Sequence, residues 1–247
     1  MTACTTRLDA AWEAIRMRSE MTSRKRWWRL KRTWLIGIPS LLAIGVVGTF
    51  VWGGLQPRPA GFAPVDEPQI VAAPQKVNPV VDEAAFEPME ITRYTVDAKS
   101  RDDWVLFDFN EGRVIEGDLS SPGWDLAFRR TTLLTNSGET NPSGAGGAID
   151  LGEVLLEDAV TPESVVFDLD VLGGEDEDEL ENPAIGGWYS YSFIKHIIST
   201  RQNTYLVGTG EDLNALVQFD SYYCEDEEPG CITFRYRLVP QSITAGS

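Results

Sequence analysis

Residues Trp34 to Leu55, WLIGIPSLLAIGVVGTFVWGGL, form a run of 22 residues without one charge. As an α-helix this run would extend about 33 Å, the thickness of a bilayer's hydrocarbon core. The spacing therefore predicts a transmembrane helix. Charge divides sharply around it. Residues 1–33 carry nine Lys and Arg against Asp9, Glu13 and Glu20. Of totals of 21 basic and 38 acidic residues, 12 and 35 lie beyond position 33, so the two parts carry +6 and −23. The basic flank RKRWWRLKRTW directly precedes the run, and the positive-inside rule then places the N-terminus in the cytoplasm and the acidic part outside it. A cleaved signal peptide is the competing reading. It fits less well, because the basic leader is long and the apolar run exceeds the usual 7–15 residues of such a peptide. Trp27, Trp28, Trp34 and Trp52 bracket the run as interfacial aromatics do, and Gly45 and Thr49 give it one small face for packing against another helix.

The basic foot itself starts a short amphipathic helix at Thr6-x-x-Asp9, with Leu8, Trp12 and Ile15 on one face. Inner-leaflet lipid or a partner protein would cover that face. Beyond the apolar run, residues 56–90 hold seven of the 14 prolines. Such a stretch forms no core of its own and favours extended polyproline II, as a tether or a strap. The net charge of −17 argues against nucleic acid as a partner, since phosphate binding runs on Lys and Arg.

Residues 91–247 read as an all-β domain, a sandwich or barrel. Short apolar alternations recur between Gly, Asn, Asp and Pro at 91–97, 104–109, 113–118, 124–130, 131–136, 164–169, 188–193, 204–209, 215–223 and 231–239. The aromatics along them, Trp104 and Phe107 through Tyr236, are expected in the core and in cross-strand pairs. GAGGAID (144–150) lacks the ending of a phosphate loop and reads as a tight turn. Cys224 and Cys231 flank EDEEPG on the oxidising side and are expected to form a disulfide, whereas Cys4 on the cytoplasmic side stays a thiol.

Chemistry-bearing residues are few. The single histidine, His196 in SFIKHIIS, excludes any two-histidine metal motif, and its apolar neighbours show no triad or other nucleophile-base pair, so an enzyme is not expected. DLDVLGGEDEDELENP (168–183) concentrates acid. Asp168, Asp170 and Glu179 fall at positions 1, 3 and 12 of a calcium loop, with Asp176 nearby, but Leu172 stands at a ligand position and no helices flank it. A solvated acidic loop is the default, with calcium held by Asp168, Asp170, Asp176 and Glu179 as the alternative.

Several motifs taken together resemble the HmuY family of secreted and lipid-anchored bacterial haem-binding proteins. They are Trp124-Asp125-x-Ala127-x-Arg129, Asn136-x-Gly138, Gly144 to Ile149, GGWYSYSF (186–193), NTYLVGTGEDLNALVQFDSYY (203–223) and GCITFRYRLV (230–239). The resemblance spans about 91–239 and implies an all-β fold. It also implies haem held between two axial side chains, two His or two Met, one from the loop before the Gly-Trp strand and one directly after that strand. Here the loop Gly173 to Gly187 has neither, the position after the strand is Phe193, and Met89 lies in the proline-rich segment. His196 alone remains as a haem or tetrapyrrole contact. An anchored domain with the family fold and without its ligands points to reuse of the fold as a binding surface. The expectation is a single-pass accessory subunit of the bacterial inner membrane. Its periplasmic domain would clamp integral membrane subunits, in an assembly such as a photosynthetic reaction centre with its antenna ring. A membrane-tethered haem or tetrapyrrole binder is the alternative.

Overall fold

The computed structural model describes residues 39, 41–72, 90–174, 178–211 and 213–241. Two compact units divide the chain, Met1–Gln56 and Pro57–Ser247. In the first, a helix covers residue 39 and residues 41–54, with Leu41, Leu42, Ile44, Val47, Val51 and Trp52 exposed along it. Thr49 satisfies its hydroxyl within the helix, donating to the Val46 carbonyl at 2.7 Å. Among the described residues no helix is long and apolar enough to cross a membrane. The predicted span begins at Trp34, outside the described residues, as do the basic foot with Cys4 and its amphipathic segment.

The second unit is all-β. Six antiparallel strands form the large sheet: β1 (Gln69–Ala72), β2 (Glu90–Asp97), β7 (Gly146–Asp150), β12 (Thr204–Thr209), β13 (Leu213–Tyr223) and β14 (Pro229–Pro240), in the order β1-β2-β14-β13-β12-β7. A four-stranded sheet, ordered β4-β3-β5-β6, uses β3 (Val105–Asp108), β4 (Arg113–Ile115), β5 (Leu126–Arg129) and β6 (Thr132–Thr135). Two separate hairpins complete it, β8 (Val171–Gly173) with β9 (Glu179–Glu181), and β10 (Tyr189–Ser192) with β11 (Ile197–Thr200).

Alternation along the strands builds the core between the two sheets. On β14, Ile232, Phe234 and Tyr236 point inward and meet Tyr94 of β2, Phe107 of β3, and Phe128 of β5. Phe107 stands edge-on to Phe234 at 5.2 Å between centroids, and Phe128 stacks on Phe234 at 5.4 Å, geometries that suit the ring quadrupoles. The opposite face of the large sheet is also covered. Residues 151–167 cross it, packing Leu151, Val154, Leu156, Ala159 and Phe167 on Ile91, Leu206, Leu216 and Val239. Every residue of β12 is consequently buried, and its sequence TYLVGT lacks the alternation of a one-sided strand. Arg235 fixes this crossing. Its Nη1 donates to Glu157 at 2.8 Å, its Nε to the Asp220 carboxylate at 3.1 Å, and its Nη2 to the Gln218 side-chain oxygen at 2.7 Å.

Four segments differ from the sequence expectation. Residues 146–150 are not a turn but an edge strand, β7, paired with β12. The glycines there answer to close approach. At Gly147, φ is +142°, and a Cβ would lie 2.5 Å from that of Phe167. Residues 164–169 do not form a strand, because Val165 and Phe167 turn into the second cluster. Only the bridge between Ala148 and Asp168 remains. The acidic segment is a hairpin, with Leu172 opposite Leu180. The unit also begins at Pro57 rather than near Ile91. Residues 57–72 lie along it: Phe62 N donates to the Tyr223 carbonyl, Val65 N donates to that of Thr95, and β1 adds to the edge of β2. Residues 73–89, including Met89, are outside the described residues.

Candidate functional site

The predicted calcium residues do not converge. Asp170 is buried, and its carboxylate accepts hydrogen bonds from Thr135 N at 3.0 Å, Thr135 Oγ1 and Thr140 Oγ1 at 2.6 Å, and Asn182 Nδ2 at 2.9 Å. Its lone pairs are thus engaged in joining β6 to the start of β8. Burial still pushes its carboxyl upward, against the opposing Thr135, Thr140 and Asn182 bonds. Asp168 and Glu179 are exposed, and Asp176 lies outside the described residues. Among the described residues, the grouping of metal-ligating atoms that does occur is Cys224, Asp226 and Glu228. Cys224 brings no thiolate to it, because the structure joins Cys224 to Cys231 by a disulfide across the turn between β13 and β14.

His196 stands at the end of the β10–β11 turn. Its amide donates to the Ser192 carbonyl at 2.8 Å, closing the turn, and its φ is +53°. Its Nδ1 and the Tyr191 hydroxyl share a 2.7 Å hydrogen bond, in which the phenol donates when the imidazole carries its proton on Nε2. The turn carries the exposed side chains of Phe193 and Ile194. Beneath it opens a cavity of about 240 Å³. Tyr191 and His196 of the hairpin, Tyr222 and Tyr223 from the end of β13, and Arg130 and Arg58 are among the residues that line it. Tyr223 also holds the hairpin down, its hydroxyl accepting from Ile198 N at 2.9 Å. Sequence reading singled out His196 and placed Tyr222 and Tyr223 among core aromatics, where they are indeed buried, but it missed Arg58 and Arg130. The signal for Arg130 was a β5–β6 turn, Arg130-Thr131, built without Gly or Asn.

A six-stranded and a four-stranded antiparallel sheet packed on a shared core, with a disulfide-closed turn and a second hairpin beside a small cavity, define an all-β sandwich. The chain belongs to the HmuY family: the family model described as HmuY protein matches residues 100–236, more than half of its length. Solved structures of low identity are similar to it. An apo HmuY analogue from Tannerella forsythia is 16% identical, with 60% of this chain and 95% of that chain covered at a TM-score of 0.47. A structure from Bacteroides vulgatus, described as a putative HmuY-like heme-binding protein, is 17% identical over 59% and 90% of the two chains at 0.46. A Bacteroides fragilis chain described as a putative lipoprotein is 19% identical over 63% and 92% at 0.45. No curated protein matches the chain.

Haem is the group this family implies, and the side chains present do not fit an iron held from both sides. His196 is the chain's single imidazole, and its methionines at 1, 17, 21 and 89 all lie outside the described residues. Phe193 occupies the position that directly follows the Gly-Trp strand. The β8–β9 hairpin, which precedes that strand, offers Val171, Leu172 and acids among its described residues. A second strong-field axial ligand is therefore missing from the described surface.

Proposed function

We propose that the chain is a membrane-anchored accessory subunit whose extracytoplasmic HmuY-type domain holds an integral membrane partner through the β10–β11 hairpin. One observation carries this reading: the position after the Gly-Trp strand holds Phe193, 68% exposed, between Tyr191 at 50% and Ile194 at 58%. An apolar contact residue stands where haem chemistry needs a ligand. The hairpin, residues 189–200, contains no acid at all, in a part of the chain that carries 35 acidic residues. Exposed aromatics in a patch free of acids, with Lys195 its one charged side chain, suit the centre of a protein-protein contact, where charge is depleted and rings supply the energy. The uncharged run Trp34 to Leu55 and its basic flank support the anchor and its orientation. Neither the family match nor the fold singles out a photosynthetic assembly, so the partner is stated by its chemistry alone: a membrane subunit offering an apolar, weakly charged surface.

The test is purification of the full chain in mild detergent, beside the double variant Phe193→Ser/Ile194→Ser. Membrane chains should co-purify with the wild type at fixed ratio and be lost from the variant. A lone monomer in both preparations would reject the reading. A haemin titration that gives a sharp Soret shift, abolished by His196→Ala, would replace it with tetrapyrrole binding.

A further inference from the structure

We propose that the cavity under the β10–β11 hairpin is a binding site for a small planar aromatic carboxylate. Three observations meet there. The first concerns charge. Arg58 and Arg130 both line the cavity. Neither makes an ion pair among the described residues. Their bonds are long ones to carbonyls, from Arg58 to Glu227 at 3.5 Å and from Arg130 to Lys99 and Pro229 at 3.4 Å each. Acids outnumber bases by 35 to 12 beyond residue 33, so two guanidiniums without a carboxylate at one cavity stand out against the composition. Guanidinium is the side chain best shaped to take a carboxylate in paired hydrogen bonds.

The second observation concerns strain. Among the described residues, three that are not glycine have φ in the left-handed region: Arg130 at +53°, His196 at +53° and Glu227 at +64°. Arg130 and His196 line this cavity, and the Glu227 carbonyl accepts the bond from Arg58. Each sits in a turn where Gly or Asn would be relaxed. Strained residues persist where the site needs their side chains. The third observation is size and lining. A benzene ring fits an apolar cavity of about 150 Å³. This one, at about 240 Å³, leaves room for one ring and a carboxylate, and the rings of Tyr191, Tyr222, Tyr223 and His196 wall it. Phe193 and Ile194, the residues that the partner test replaces, do not line it, so the two tests fail separately.

The test is isothermal titration of the full chain in detergent with 4-hydroxybenzoate, phenol and acetate, for the wild type, Arg58→Gln, Arg130→Gly and His196→Gly. 4-Hydroxybenzoate should bind saturably, with phenol and acetate each at least tenfold weaker. Arg58→Gln, on the exposed strap, should weaken binding at least fivefold with an unchanged melting temperature. Arg130→Gly and His196→Gly should melt higher than the wild type, since glycine relieves the left-handed backbone, while binding weakens at least tenfold. Absence of saturable binding to the wild type would overturn the proposal. So would equal affinity for acetate, or glycine variants that bind as well as the wild type.

Discussion

Asp125 is the carboxylate whose environment most alters the molecule's response to pH, and replacing it with Asn should flatten that response. The side chain is 3% exposed, and its Oδ2 accepts the Phe109 amide at 2.8 Å. Burial pushes its carboxyl up to about 8. The Phe109 bond opposes the shift, while Asp108 and Glu211 add to it. In the unfolded chain the group returns to its ordinary value, 3.8. Between these values the native state keeps a proton that the unfolded state has lost. Native proton uptake makes stability fall as pH rises through this window, and the loss is complete above about 8. At 1.36 kcal/mol per pH unit the group's full contribution would be roughly 6 kcal/mol, an upper figure. Burial also raises Asp170 and Asp220, so the wild-type slope is a sum over several groups. Asn keeps the acceptor for Phe109 and removes the titration. Urea unfolding of the full chain in detergent, followed by near-UV circular dichroism at pH 5, 7 and 9, reads the outcome. The stability difference between Asp125→Asn and the wild type should shift in favour of the variant by about 3 kcal/mol or more between pH 5 and pH 9. Parallel stability curves for the two proteins across that range would refute the reasoning.

The remaining predictions concern what holds the domain's edges. Cys224→Ser/Cys231→Ser opens a loop with a sequence separation of 7. It should cost about 2 kcal/mol, read as a lower urea midpoint that reducing agent no longer changes. Asp170→Ala leaves the Thr135 amide and the Asn182 side chain without their buried acceptor, and should cost about 3 kcal/mol in the same assay. Gly61→Ala places a methyl 1.7 Å from the Tyr223 carbonyl oxygen, which the backbone cannot accommodate. Residues 57–66 should then lift from the domain, cutting faster under limited proteolysis while the two sheets stay protected.

The long apolar strands were legible in the sequence, and the glycine-rich and acidic ones were not. β13 and β14, 11 and 12 residues long and buried along most of their length, were readable from their apolar runs at 215–223 and 231–239. β7 was hidden by its own glycines, which serve close approach to Phe167 and Asn136 and look like turn chemistry in isolation. The β8–β9 hairpin was hidden by its charge, because Glu179 and Glu181 flank Leu180, which packs on the small sheet, while Leu172 opposite it is exposed. The candidate site was least legible. Its side chains come from the segment before β1, the β5–β6 turn, β10, the β10–β11 turn and the end of β13. No local pattern links them. The family motif, in contrast, resolves into framework. Trp124 and Ala127 pack in the outer cluster of the small sheet, Asp125 ties to Phe109, Arg129 lies over the Trp104 ring at 4.2 Å, and Asn136 Nδ2 donates to the Trp124 carbonyl at 2.8 Å. Residues that make a chain recognisable as HmuY-like are thus those that shape its sheets, and they can persist while the ligand positions change. Phe193, at the position where the resemblance implies a ligand, and Arg130, in a left-handed turn without glycine, both lie at the β10–β11 end of the domain rather than in its framework.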